Sequence, residues 1–299
     1  DLDIELPDLA FDLLDLRKYR TALWHALPNN GNKKPFFSIY NSLNCPYNCS
    51  FCCIAAPFGK PGIKHWSKEK TLERLEKISD LGIVNLKVAD ELALLKQSGF
   101  LEVIDGIIER KLKFNIWCYG RVDQTKKEWL DYLKKAGVNF ISLGIESPNQ
   151  KVRKDVIKGA YKEVKIEETI QDIQNAGIEV GANYIFGLNL DTQETMKETL
   201  DFAISMNTSM ANFYCAIPYP GSKLYSDIIQ KNELNKLPKT YSGYAQHSYD
   251  FFPLSSQYLT NREILKFRDE AWMKYHTNTT YLSMIKEKFG ENSYDQTME

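Results

Sequence analysis

Between Pro35 and Lys231 the chain alternates short runs of β-branched, aromatic and aliphatic residues with longer stretches whose apolar residues recur every three or four positions. The short runs predict strands over Phe36–Ser42, Ile83–Val88, Lys113–Tyr119, Val138–Ile145, Ile178–Phe186 and Met210–Ile217. The longer ones predict helices over roughly 67–81, 99–110, 125–136, 163–176, 191–206 and 221–231. Alternating strands and helices make parallel βα units whose crossovers share one hand. Six units are too few for the closed eight-stranded barrel. The fold class predicted is therefore α/β, an open six-stranded parallel (β/α)6 partial barrel, with a doubly wound sheet as the runner-up. Either arrangement gathers ligands at the C-terminal ends of its strands.

Local signals agree. Leu81-Gly82-Ile83, Ala136-Gly137-Val138 and Ala176-Gly177-Ile178 each place a helix-closing Gly before a β-branched residue that opens a strand. Thr125-x-x-Glu128, Asp191-x-x-Glu194 and Thr260-x-x-Glu263 read as capping boxes. Beyond Lys231 the pattern changes to an aromatic, polar segment, Tyr241 to Phe252, and two helices near 261–275 and 279–289. The organisation predicted is a connector over 1–34, a barrel core over 35–232 and a C-terminal helical and aromatic extension over 233–299 that covers one end of the barrel.

Composition narrows the function. With 38 basic against 39 acidic residues the net charge is -1, so nothing draws polyanions and nucleic acid is a poor substrate. No apolar run approaches the roughly 18 residues of a membrane span, and the acidic N-terminus lacks a secretion signal, so the expected location is cytoplasmic. Cysteine use is uneven: Cys45, Cys49, Cys52 and Cys53 fall within nine residues, whereas Cys118 and Cys215 stand alone and read as core. A local cluster in a large chain signals metal binding.

The motif is Cys45-Pro46-Tyr47-Asn48-Cys49-Ser50-Phe51-Cys52, a C-x3-C-x2-C spacing directly after the first predicted strand. Three thiolates on one tight loop suit a cubane in which one iron lacks a protein ligand. The rival is a tetrahedral zinc with Cys53 or His65 as fourth ligand; adjacent cysteines seldom point at one ion.

C-x3-C-x-aromatic-C, with Phe51 as the aromatic, resembles the signature of the radical S-adenosylmethionine (SAM) superfamily. Further stretches are similar to its cobalamin-linked branch: Lys87 to Glu91, Gly120 to Asp123, Leu143 to Ser147, Tyr184 to Leu188 and Pro218 to Ser222. The resemblance implies a 4Fe-4S cluster on Cys45, Cys49 and Cys52, whose open iron chelates SAM and whose electron releases a 5'-deoxyadenosyl radical. It implies that Phe51 flanks the cofactor, that Glu91 accepts from the SAM amino group, that Arg121 meets the SAM carboxylate, that Glu146 contacts ribose or methionyl, and that Ile185 and Gly187 lie against adenine. Arg121 and Glu146 are also the catalytic candidates, a rim ion pair between them being the plain structural alternative. After Gly187 the chain has Asn189-Leu190-Asp191-Thr192 where the branch has Pro-Gly-Glu-Thr, which leaves the adenine side open. The polar aromatic tail makes Tyr219, Gln246 and His247 candidate contacts for a small-molecule or sugar-type substrate.

The branch implies methylation through cobalamin. This chain has no Asp-x-His-x-x-Gly loop, yet its first twenty residues resemble the connector that follows a cobalamin domain. The expectation is a chain cut upstream or a partner that supplies the corrin, together with an electron donor such as flavodoxin or ferredoxin. The alternatives are a radical SAM epimerase or dehydrogenase and a zinc-stabilised binding module; methylthiolation of transfer RNA is disfavoured by the neutral charge.

Overall fold

A computed structural model describes residues 2–21, 34–156 and 165–299. Part of the predicted connector, 22–33, and the first two positions of the helix expected over 163–176 lie outside the described residues. Six parallel strands pair in chain order: β1 (Lys34–Ile39), β2 (Asn85–Val88), β3 (Asn115–Arg121), β4 (Val138–Glu146), β5 (Glu179–Phe186) and β6 (Met210–Cys215). A doubly wound sheet reverses its strand order part-way; this sheet does not, and it curls into a half-barrel. The two-residue strand Arg20–Thr21 adds antiparallel to the outer edge of β1.

The helices between strands are α1 (Lys68–Asp80), α2 (Phe100–Glu109), α3 (Lys127–Lys135), α4 (Gln150–Val156), α5 (Ile166–Asn175), α6 (Gln193–Met206) and, after β6, α7 (Lys223–Gln230). In α2, Phe100, Val103, Ile104 and Ile107 recur at helical spacing and are all buried. Each such side chain adds roughly 1.5–3 kcal/mol of apolar burial. Gly106 lets α2 approach α1: a Cβ there would come within 2.2 Å of Leu72.

The strands split their residues between two faces. The outward set, including Leu86, Ile116, Ile141, Val180 and Phe213, is fully buried beneath helices. On the inward face Lys87, Tyr119, Asn183, Ile185 and Tyr214 are only half-buried, while Trp117 and Phe140 are buried. An all-parallel sheet ordinarily buries both faces; here the concave face is left partly open and polar.

The predicted glycines close their helices as expected; Gly137 has φ 96° and a Cβ on it would strike the Phe114 carbonyl. Two predicted caps need correction. Thr125 turns its hydroxyl back to the Arg121 carbonyl (2.9 Å), and α3 starts two residues later without a side-chain cap. The cap of α6 is Thr192, boxed with Thr195, because Asp191 is engaged by the Leu188 N–H and the Thr195 hydroxyl. Thr260 and Glu263 form their box at the start of α8 (Asn261–His276) as predicted, followed by α9 (Thr279–Phe289) and an unpredicted α10 (Glu291–Met298). Helix α8 lies along the outer flank of the last strands, where Phe267 meets Phe186 and Tyr275 meets Phe213 edge-on. The preceding loop reaches the strand ends, the Leu254 N–H donating to the Ala216 carbonyl.

Candidate active site

The cysteine loop leaves β1 and is clamped on three sides. Asp90, wholly buried just past β2, accepts from the Asn41 N–H (2.7 Å) and the Ser42 hydroxyl. Burial raises its carboxyl to about 6 against the opposing pull of these donors. Asn44 takes the left-handed conformation at φ 71°, and its side chain accepts from the Cys45 N–H (2.8 Å) while donating to the Lys60 carbonyl (3.0 Å). On the far side the Leu224 N–H, in the first turn of α7, donates to the Ser50 carbonyl at 2.9 Å. Gly221 sits against the loop so closely that a Cβ would lie 2.5 Å from Ala56. The Pro218-to-Ser222 stretch therefore supports the loop, a role its sequence alone did not disclose.

Cys45 and Cys49 are half-buried and Cys52 is exposed, whereas Cys118 and Cys215 are core residues as expected. Desolvation raises all three loop thiols, Cys49 to about 12. Cys45 and Cys52 lie near enough to disfavour ionisation of Cys49, and Cys45 that of Cys52. Among the described residues no three Cys, His, Asp or Glu side chains, the loop cysteines included, are gathered tightly enough to hold a single metal ion.

Arg121, the last residue of β3, sends Nε and Nη2 to the two carboxylate oxygens of Asp123 (2.9 and 3.1 Å). Its guanidinium lies 3.8 Å above the Tyr47 ring, and Nη1 is 3.8 Å from Cys49 Sγ. The partner in its bidentate ion pair is thus Asp123, not the Glu146 weighed from sequence, and the fork assigned to the SAM carboxylate is engaged. Tyr47 and Asp123 are site residues that sequence reasoning missed, although both stand within the quoted motifs.

Glu146 ends β4 at a break in register with β5 and has φ 64°, a conformation that residues with a Cβ seldom adopt. Burial pushes its carboxyl up to about 7, with Arg121 opposing. Gly144 makes room for it: a Cβ there would stand 2.8 Å from Oε1. Glu91 accepts from the Asn44 backbone, and burial raises its pKa. Its Oε2 is buried and has no hydrogen-bond partner among the described residues. Phe51 packs against the core edge, and Ile185 is half-buried on the concave side of β5 opposite Tyr214. Gly187 has φ 78°, and a Cβ would strike Ile264 at 2.8 Å. It borders a cavity of about 360 Å³ shared with Ser50 and Leu224.

Two of the three substrate candidates meet. Tyr219 is half-buried, stacks on Tyr244 at 6.5 Å and hydrogen-bonds the Gln246 side chain. The Gln246 amide is also tied to the Cys215 backbone, accepting from its N–H (3.0 Å) and donating to its carbonyl (2.9 Å). His247 is exposed on the loop surface.

Comparison with known proteins decides the family. The sequence profile of the radical SAM superfamily matches residues 42–203, more than half of the chain. The chain belongs to the radical SAM superfamily. Its cofactors are accordingly a 4Fe-4S cluster and SAM. It is 23% identical over 291 residues to the uncharacterized methyltransferase PH0819 of Pyrococcus horikoshii, covering 97% of this chain and 59% of that protein. It is 32% identical over 196 residues to the anaerobic magnesium-protoporphyrin IX monomethyl ester cyclase of Rubrivivax gelatinosus, covering 64% of this chain and 34% of the cyclase. The fold is similar to that of the radical SAM methyltransferase TsrM from Kitasatospora setae, solved with cobalamin and a 4Fe-4S cluster, at TM-score 0.61 and 18% identity over 69% of this chain and 41% of TsrM. The chain thus spans less than two thirds of the length of these relatives. Among the described residues no helix is long and apolar enough to cross a membrane.

Proposed function

We propose that this radical SAM enzyme methylates a small molecule with the help of cobalamin, holding its cluster on Cys45, Cys49 and Cys52. The observation that carries the cofactor assignment is Glu91: a buried carboxylate oxygen without a partner, beside the loop that bears the thiols. Leaving such an atom unpaired costs about 1–3 kcal/mol, so the site is built for a donor that arrives later. The ammonium group of SAM is such a donor. When bound, the cluster supplies the electron that cleaves SAM to a 5'-deoxyadenosyl radical. The protein's own part is positional. Glu91 orients the amino group, and Glu146 accepts from ribose hydroxyls. Phe51, Ile185 and Gly187 form the surface for adenine, and Arg121, stacked on Tyr47 and fixed by Asp123, donates toward Cys49. The methyltransferase names of relatives support methyl transfer, and the TsrM structure, solved with cobalamin, supports a corrin brought by a further domain or partner.

The test is anaerobic reconstitution with iron and sulfide, reduction in the presence of SAM, and assay for 5'-deoxyadenosine. Cys49→Ser abolishes the product if the ligand assignment holds; unchanged product overturns it. Methylated product that appears only with methylcobalamin supports methyl transfer, while turnover indifferent to the corrin indicates an epimerase or dehydrogenase.

A further inference from the structure

We propose that Lys87 anchors an anionic group of the substrate inside the barrel, so that the substrate is a small molecule bearing a carboxylate or a phosphate. The inference rests on the radical SAM reading above and names the substrate class for that site. Lys87 sits mid-sheet on β2, in register between Ser38 of β1 and Trp117 of β3. Its Nζ stands 4.1 Å from the Trp117 ring centroid and 5.5 Å from that of Tyr119. Among the described residues no carboxylate pairs with it, and desolvation alone acts on its charge. The other acids of this region are committed or distant: Asp123 holds Arg121, Asp90 holds Asn41 and Ser42, and Glu91 and Glu146 stand at the strand ends.

A cation on an aromatic face gains about 0.5–2 kcal/mol, which offsets part of its desolvation and leaves its three N–H donors unspent. A methyl-terminated side chain would pack on Trp117 without that desolvation, so packing alone does not account for a lysine here. The wall around it suits an anion. Tyr119 and Tyr214 lie on the same half-buried face, within electrostatic reach of one another. Asn212 donates to Asn183 (2.9 Å), which donates to Ser142 (2.9 Å), a polar ladder across the neighbouring strands. Trp117 and Phe140, both almost wholly buried and in edge contact at 5.8 Å, stand beside Lys87 at the same level of the sheet. Lys87 itself is half-buried on this concave face. From the level of Trp117 to that of Arg121 is four residues, at most about 13 Å at ~3.3 Å per residue. An anion on Lys87 therefore leaves the rest of a small molecule directed toward the radical at the mouth.

The test uses the full reconstituted chain, with glycerol 3-phosphate and glutarate as probes and glycerol as the neutral control, followed by calorimetric titration at fixed ionic strength. The expected result is binding of at least one anion and no binding of glycerol, at least tenfold weaker binding in Lys87→Met, and retention within threefold in Lys87→Arg and in the exposed control Lys266→Met. The anion that binds distinguishes phosphate from carboxylate. Should Lys87→Met not fold, as judged by circular dichroism, Lys87→Gln is read in its place. Failure of both anions to bind, or binding equal in Lys87→Met and wild type, overturns the proposal. Anion binding needs no electron transfer, so an enzyme that binds the probes but never forms 5'-deoxyadenosine overturns the preceding reading alone, and one that cleaves SAM without binding them overturns this one alone.

Discussion

Glu146→Gln separates what the site demands of one carboxyl from what the fold needs. In the folded chain burial lifts Glu146 from 4.5 to about 7. A tenfold change in proton affinity is worth about 1.4 kcal/mol, so the displacement amounts to a ceiling of about 3 kcal/mol, lowered by whatever water reaches this half-buried side chain. The sign follows from the raised value. Below pH 4.5 both states are protonated and the stabilisation is fully present; it is lost as pH rises through about 7, where the folded state must ionise a desolvated group. Asp90 and Asp191, both lifted to about 6, act in the same direction but cancel between wild type and variant. The amide keeps the shape and does not titrate. Between pH 4.5 and 8.5 the melting temperature of iron-free Glu146→Gln is therefore expected to rise relative to wild type by up to about 5 °C for a chain of this length, read by circular dichroism. The left-handed backbone at Glu146, common to both proteins, drops out of the comparison. A difference that stays constant across that range refutes the argument.

Gly221→Ala drives a Cβ into Ala56 and shifts the cysteine loop; iron bound per chain after reconstitution falls severalfold, while the far-UV spectrum is retained. Gly106→Ala overpacks the α1–α2 contact against Leu72 and lowers stability by about 1–3 kcal/mol in urea unfolding with an unchanged slope. Asp8→Ala removes the carboxylate that Arg74 meets at 2.7 Å with a side chain only 3% exposed, and that Lys77 also reaches. The loss expected is about 1–3 kcal/mol at neutral pH. Because these cations hold Asp8 well below the usual carboxylate range, its contribution is present above the unfolded value of 3.8 and fades as pH falls toward its folded pKa, where the urea midpoints of Asp8→Ala and wild type converge.

The alternation of apolar runs and amphipathic stretches located all six strands, because each strand's outward residues are apolar whatever its inward ones are. Its boundaries erred where a side chain served a tertiary partner. Thr125 and Asp191 look like helix caps, but one closes a turn on Arg121 and the other is held by Leu188 and Thr195. Helix α4 escaped notice because its seven residues, Gln150–Val156, are too few to show a period. At the site, spacing exposed the cysteines since three thiols must share one loop. Asp123 stands only two residues from Arg121 and could have been read as its partner, whereas the Tyr47 contact is set by the approach of the end of β3 to that loop, which no local pattern encodes.

The concave face was written in the sequence yet hidden by the apolar signal around it. Lys87, Asn183 and Asn212 each interrupt a strand that otherwise reads as buried, and taken singly each looks like a tolerated polar residue. Only the parallel register turns them into one surface, since Lys87 lies beside Trp117 and Asn183 beside Asn212. A half-barrel whose inner wall were aliphatic would gain burial on both faces of its sheet. Retaining a cation, two tyrosines and an asparagine ladder there forgoes that gain along four of the six strands, β2, β3, β5 and β6. The outward face must then supply most of the stability, with Trp117 and Phe140 the large buried rings on the concave side, which is why α8 docks Phe267 and Tyr275 on β5 and β6, the strands at one edge of the sheet.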